Sequence, residues 1–216
     1  MKRLLVLLAL GVAAACATAG FAATLSVSSW HLWAGSQALT KSSCTVAGAS
    51  ADTYVNEASP ASSYGGGSTL GALADTNSRR WTFLRFDLSS CAIPSSGGAD
   101  SATLRLYVAN AATRSFTLTL TRVLSAWSNT LSWTGAQSLT YASSATTTAS
   151  SGTTSGTWVT FTVTGDVDDF IQGFATNNGW YVSASGATQN ATKDLIQFAS
   201  SAAASNKPQL VINYEK

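Results

Sequence analysis

Histidine is nearly missing from this chain, cysteine is scarce and charge is thin. Its 216 residues carry one histidine, three cysteines and only 10% charged side chains, against about a quarter in a typical soluble domain. Each shortage removes a class of chemistry. With His31 as its one histidine, the chain offers no base to set beside a serine or cysteine nucleophile, which argues against a hydrolase triad. The cysteines have neither the spacing of a redox pair nor that of a zinc cluster. The formal charge of +2 is that of Lys2 and Arg3 alone, so the rest of the chain is balanced and gives no basis for nucleic-acid binding. Beyond the N-terminal segment no long helical pattern appears, and internal repeats of solenoid period are missing.

What the N-terminus does have is the layout of an export signal. Lys2-Arg3 precede an apolar run from Leu4 to Ala15, followed by the small residues Ala17-Thr18-Ala19 and Gly20-Phe21-Ala22. Residues 1–23 therefore read as a secretory signal peptide, and the protein as secreted or associated with the cell surface. Two other readings stay open: an uncleaved anchor, because the apolar character runs on to about Val27, and lipidation at Cys16, which has a poor residue, Ala13, three places before it. The only membrane contact expected is through this segment. If Cys16 leaves with the signal, Cys44 and Cys91 remain as a pair in an oxidising compartment, and a disulfide between them is expected.

Residues 24–43 form a lead-in whose bulky cluster, Trp30-His31-Leu32-Trp33, is expected to pack. Beyond it, short alternating runs recur near residues 52–56, 80–88, 101–109, 115–124, 157–164, 179–185, 194–199 and 208–214, separated by Gly/Ser/Thr/Asn clusters such as Ser62 to Gly67 and Ser143 to Gly156. That spacing predicts an all-β sandwich or barrel. In one run Leu84, Phe86 and Leu88 share a face opposite Trp81, Phe83, Arg85 and Asp87. In another, Ala102, Leu104, Leu106 and Val108 oppose Thr103, Arg105 and Tyr107. One face is core and the other is decorated. A single short helix is expected where Val167, Phe170, Ile171 and Phe174 recur at helical spacing, with Asp166 placed to cap it and Asn177-Asn178-Gly179 to stop it.

Several motifs carry a resemblance: Ala51-Asp52-Thr53-Tyr54-Val55, Ser59-Pro60 with Tyr64-Gly65, the two alternating runs, Trp158, Asp166-Val167, and Lys207-Pro208-Gln209-Leu210-Val211-Ile212-Asn213-Tyr214. In this order, over residues 44–216, the chain resembles the DNRLRE domain, also classed as family 96 of the carbohydrate-binding modules. The resemblance implies an antiparallel, jelly-roll-like β-sandwich in secreted or surface proteins, with polysaccharide binding, including alginate, in some members, and no catalysis. The chain departs from similar domains where Thr134-Gly135-Ala136-Gln137 follow Trp133, and where Phe198 leads into Ala199-Ser200-Ser201 in place of an Arg-Glu pair.

Arginine forks pair with carboxylates and aromatic faces stack on sugar rings, so Trp81, Arg85, Arg105 and Tyr107 are the candidate contacts for an acidic polysaccharide. The alternative for Arg85 is an internal ion pair with Asp87 or Asp52. Trp127, Trp133, Trp158 and Trp180 read as core or sheet-covering residues. Asp166, Asp168 and Asp169 form a dense acidic group, which a helix N-terminus explains more simply than structural calcium; no cofactor or metal is expected. A structural or adhesive surface protein is the rival from a different class, and a polysaccharide lyase or hydrolase a minor one.

Overall fold

The computed structural model describes residues 40–94, 97–185 and 194–216. The expected signal peptide and the Trp30–Trp33 cluster lie outside them. Eleven strands among the described residues form two antiparallel sheets. They are β1 (Lys41–Ala47), β2 (Ala51–Asn56), β3 (Thr69–Ala72), β4 (Arg80–Arg85), β5 (Ala99–Asn110), β6 (Thr117–Arg122), β7 (Thr147–Ser150), β8 (Trp158–Thr162), β9 (Trp180–Ser185), β10 (Ile196–Ala199) and β11 (Gln209–Glu215). One sheet has five strands in the order β2-β4-β9-β6-β7. The other has six: β1, β11, β5, β10 and β3 in order, with β8 on the remaining edge of β5.

The alternation in β5 organises the larger sheet. Ala102, Leu104, Leu106 and Val108 are buried and point inward, together with Leu210 and Ile212 of β11 and Val159 and Phe161 of β8. Facing them from the smaller sheet are Leu84, Leu118, Leu120, Trp180 and Val182. Burying a large aliphatic side chain is worth about 1.5–3 kcal/mol, so this single interlayer cluster dominates the stability of the sandwich. The expected disulfide is present: Cys44 on β1 is bonded to Cys91, just past the 3-10 turn Leu88–Ser90, with Cα atoms 5.7 Å apart.

Three strands were not legible as runs. β1 begins inside the stretch read as lead-in, β3 is four residues long, and β7 lies within the Ser/Thr-rich stretch read as a loop. The two α-helices among the described residues are α1 (Trp133–Ala136), a single turn capped by Ser132, and α2 (Thr164–Gln172). The second falls where a helix was expected, with different ends. Its N-cap is Val163, without a side-chain bond, and Gly173 (φ 75) stops it. Asp166 sits in the first turn instead of capping. Its carboxylate accepts the Trp180 indole N–H at 2.7 Å and the Thr146 hydroxyl at 2.6 Å, and faces Arg122 at 3.3 Å. No helix of the described residues is long and apolar enough to cross a membrane.

The outward rows of the two sheets differ. On the five-stranded sheet, Ala51, Val55 and Phe83 point away from the interlayer core yet are buried, because the chain between β6 and β7, residues 123–146, folds back over them. Val123, Trp127, Trp133 and Ala136 complete a second hydrophobic cluster, with Trp81, Leu131, Leu139, Tyr141 and Tyr181 around it. Main-chain contacts hold this cover down. The Trp127 indole N–H donates to Asn178 O at 2.7 Å, and Thr134 donates to Pro60 O from both its backbone N–H and its hydroxyl. Gly65 lets the neighbouring loop approach: a Cβ there would lie 2.2 Å from Asn129 O.

Candidate functional site

The outward row of the six-stranded sheet has no such cover among the described residues. Cross-strand register sets Gln209 and Thr160 on either side of Arg105, and Trp158 beside Tyr107. Side chains on one face of paired strands touch, and these do. Arg105 donates from Nη1 to Gln209 Oε1 at 3.2 Å, and its guanidinium lies 4.7 Å from the Trp158 ring centroid. Tyr107 meets Trp158 edge-on at 5.3 Å. Arg105, Tyr107 and Trp158 are half-buried, and none of them belongs to either hydrophobic cluster. Among the described residues Arg105 has no carboxylate within ion-pairing distance. Exposed Thr45 and Ser43 on β1, aligned with Val211 and Asn213 of β11, extend the same surface as a neutral, hydroxyl-bearing strip.

The four candidate contacts therefore do not share one face. Trp81 and Arg85 stand on β4 in the five-stranded sheet, Arg105 and Tyr107 on β5 in the six-stranded one. Trp81 is not presented outward: Trp133, Tyr181 and Tyr141 pack around its ring at 4.7, 5.3 and 6.4 Å. Phe83, expected on the decorated face, is fully buried. Arg85 does not pair with either expected carboxylate. Asp52 is buried and accepts the Ser201 N–H at 2.6 Å, while Asp87 caps the 3-10 turn by accepting the Ser89 N–H at 2.9 Å. The Arg85 guanidinium lies instead 5.6 Å from the Trp127 ring centroid.

This placement repeats. Arg79 lies over Trp133, Arg80 over Tyr54, Arg85 over Trp127 and Arg105 over Trp158. With so few acidic residues in the chain, aromatic faces take the place of carboxylates as neighbours of these cations, each contact being worth about 0.5–2 kcal/mol. Arg79 has both, since its Nε donates to Glu57 at 2.8 Å and thereby holds the Glu57 carboxyl below the ordinary glutamate value.

The acidic group of α2 is engaged as well. Arg122 pairs with Asp169 at 2.7 Å and with Asp166, beside a cleft of about 480 Å3. Asp168 accepts the Ala99 N–H and the Gln172 amide. Among the described residues no three His, Cys, Asp or Glu side chains are grouped so as to hold a metal ion.

Residues 44–214 match the family described as carbohydrate-binding module family 96. The chain belongs to that family. No curated protein matches the chain. Membership makes this domain a carbohydrate-binding module with carbohydrate as its partner, and an open sheet face bearing an aromatic ring, a cation and amide and hydroxyl groups has the chemistry such a partner requires. Trp158 and Gln209 were missed as members of that face. The alternation of Trp158-Val159-Thr160-Phe161 and of Gln209-Leu210-Val211-Ile212 puts each on an outward row, but only the register brings them to Arg105.

Proposed function

We propose that this family 96 module is a secreted, non-catalytic binder of an acidic polysaccharide, held on the open face of the six-stranded sheet. The observation that carries the reading is Arg105, a cation without a carboxylate neighbour among the described residues, steadied by Gln209 and Trp158 on an uncovered surface. A sugar carboxylate would take the free edge of the guanidinium fork. The apolar face of the pyranose ring would lie against Trp158 and Tyr107, and Gln209 and Thr160 would meet the hydroxyls. Export agrees with the disulfide and with the N-terminal signal pattern. Binding without turnover agrees with the engagement of Asp166, Asp168 and Asp169 in internal hydrogen bonds and ion pairs.

Calorimetric titration with polyuronate and neutral oligosaccharides tests this. Arg105→Ala is expected to weaken uronate binding by about 10- to 100-fold, the worth of a charged hydrogen bond, and salt should weaken the wild-type affinity. Full affinity in Arg105→Ala and Trp158→Ala would move the site elsewhere. A protein that binds no glycan at all would favour the structural surface-protein reading.

A further inference from the structure

The far end of β4 carries a cleft that the open face does not use. About 310 Å3 in volume, it is lined by Ser50, Arg85, Phe86, Asp87, Leu88 and Asn177, at the small end of the range for ligand cavities. Its walls are fixed to main chain. Ser50 donates its hydroxyl to Arg85 O at 3.0 Å, and Asn177 donates its amide to Phe86 O at 2.8 Å while accepting the Gly179 N–H at 3.2 Å. The loop bearing Asn177 packs tightly because position 179 is glycine: a Cβ there would lie 2.0 Å from Leu84 O. Arg85 is steadied by Trp127, which is itself anchored to Asn178 O.

An arginine and an aspartate thus line one small open cleft with no ion pair between them. Arg85 has no ion pair among the described residues. Asp87 is exposed, and the Ser89 N–H holds its carboxyl below the ordinary aspartate value, so it is ionised at neutral pH. A ligand that donates at one point and accepts at the next satisfies both. Adjacent hydroxyls on a sugar ring do this: one oxygen accepts from the guanidinium while a hydroxyl proton goes to the carboxylate. An anionic sugar would meet Asp87 as a like charge.

We propose that this cleft is a second saccharide site, selective for the vicinal hydroxyls of a neutral sugar, on the sheet opposite Arg105. Combined with the acidic-glycan reading above, on which this further step rests, one domain then holds two different glycan segments on its two sides and can join them without a catalytic neighbour.

Titration of the intact protein with neutral glucan, mannan and xylan oligosaccharides, and separately with a uronate oligosaccharide, tests the site. Arg85→Gln and Asp87→Asn should each weaken neutral-sugar binding tenfold or more and leave uronate binding within twofold. Arg105→Ala should do the reverse. Melting curves check that the variants fold, and Asp87→Asn, at an exposed position, keeps the test decisive if Arg85→Gln does not. Failure of every neutral oligosaccharide to bind, or binding indifferent to both substitutions, overturns the second site and leaves the uronate result standing. Neutral binding that depends on Arg85 in a protein that ignores uronate supports the cleft and overturns the two-glycan step.

Discussion

The two outward faces of this sandwich begin from the same pattern and end as opposites. β4 and β5 both alternate, and both carry arginine and aromatic residues opposite their aliphatics. On β5 those residues stay at the surface, with Arg105, Tyr107 and Trp158 side by side. On β4, Phe83 and most of Trp81 disappear beneath residues 123–146, and Arg85 is left at the rim. What a strand presents depends on what the rest of the chain lays over it, and a two-residue period specifies sides without specifying neighbours. A face read as decorated is in one case a surface and in the other a second core.

Substitution at the same outward position on the two sheets should separate these roles. Phe83→Ala should cost about 3–5 kcal/mol, as for a buried aromatic, whereas Tyr107→Ala should stay within roughly 1 kcal/mol. Urea unfolding of both variants measures this, and equal losses would break the distinction between covered and open faces. Next comes the disulfide, which closes a loop of 47 residues. Its reduction, or the double replacement Cys44→Ser/Cys91→Ser, should lower stability by about 4 kcal/mol in the chain-entropy model. Because the bond ties β1 of the open sheet to the turn after β4, near-ultraviolet signals from both sheets should be lost in one transition.

A narrower probe acts on the cover alone. In Gly65→Ala the new Cβ meets the Asn129 backbone, which cannot rotate away as a side chain could. The cost should be about 1–3 kcal/mol, as for other overpacking changes. Tryptophan emission should shift to the red as Trp81, Trp127 and Trp133 gain water, while binding at the Arg105 face is retained. Unchanged emission would mean that the cover does not depend on this approach.

The smallest effect concerns Glu57, whose partner Arg79 lies over Trp133 of the cover. Its carboxyl is depressed in the folded state, chiefly by the Arg79 hydrogen bond. The pair therefore stabilises the fold fully above the unfolded value of about 4.3, and that contribution is lost as pH falls through the lower folded value. Glu57→Gln should be slightly less stable than the wild type at pH 7, and the gap should narrow as pH falls through the lowered folded value. A gap that does not narrow on acidification would assign the role of Glu57 to packing.

Much of this was readable along the chain. The inward rows Leu84 and Phe86 of the β4 run and Leu104, Leu106 and Val108 of β5 were legible because burial on one side of a strand writes itself as alternation. The Cys44–Cys91 bond was legible because no other pair remained. β3 and β7 were not, since four residues in a Ser/Thr/Gly-rich setting carry too little pattern to count as a strand. Nor was the cover, because Trp127, Leu131, Trp133, Leu139 and Tyr141 follow neither a helical nor a strand period, so nothing local says that they share a floor. The candidate face was half legible: Arg105 and Tyr107 stood out on their strand, while Trp158 and Gln209 lie about fifty and a hundred residues away in sequence and join them only through register.

The sequence by itself determined an all-β chain, the inner side of its principal strands and the cysteine pair, all set by local alternation, composition or elimination. Tertiary structure alone decided that β4 and β5 belong to different sheets, that one outward row is covered and the other open, and that Arg105 lies between Gln209 and Trp158. Those outcomes depend on pairing between distant strands and on where an irregular segment packs, and neither leaves a periodic trace in the residues that it brings together.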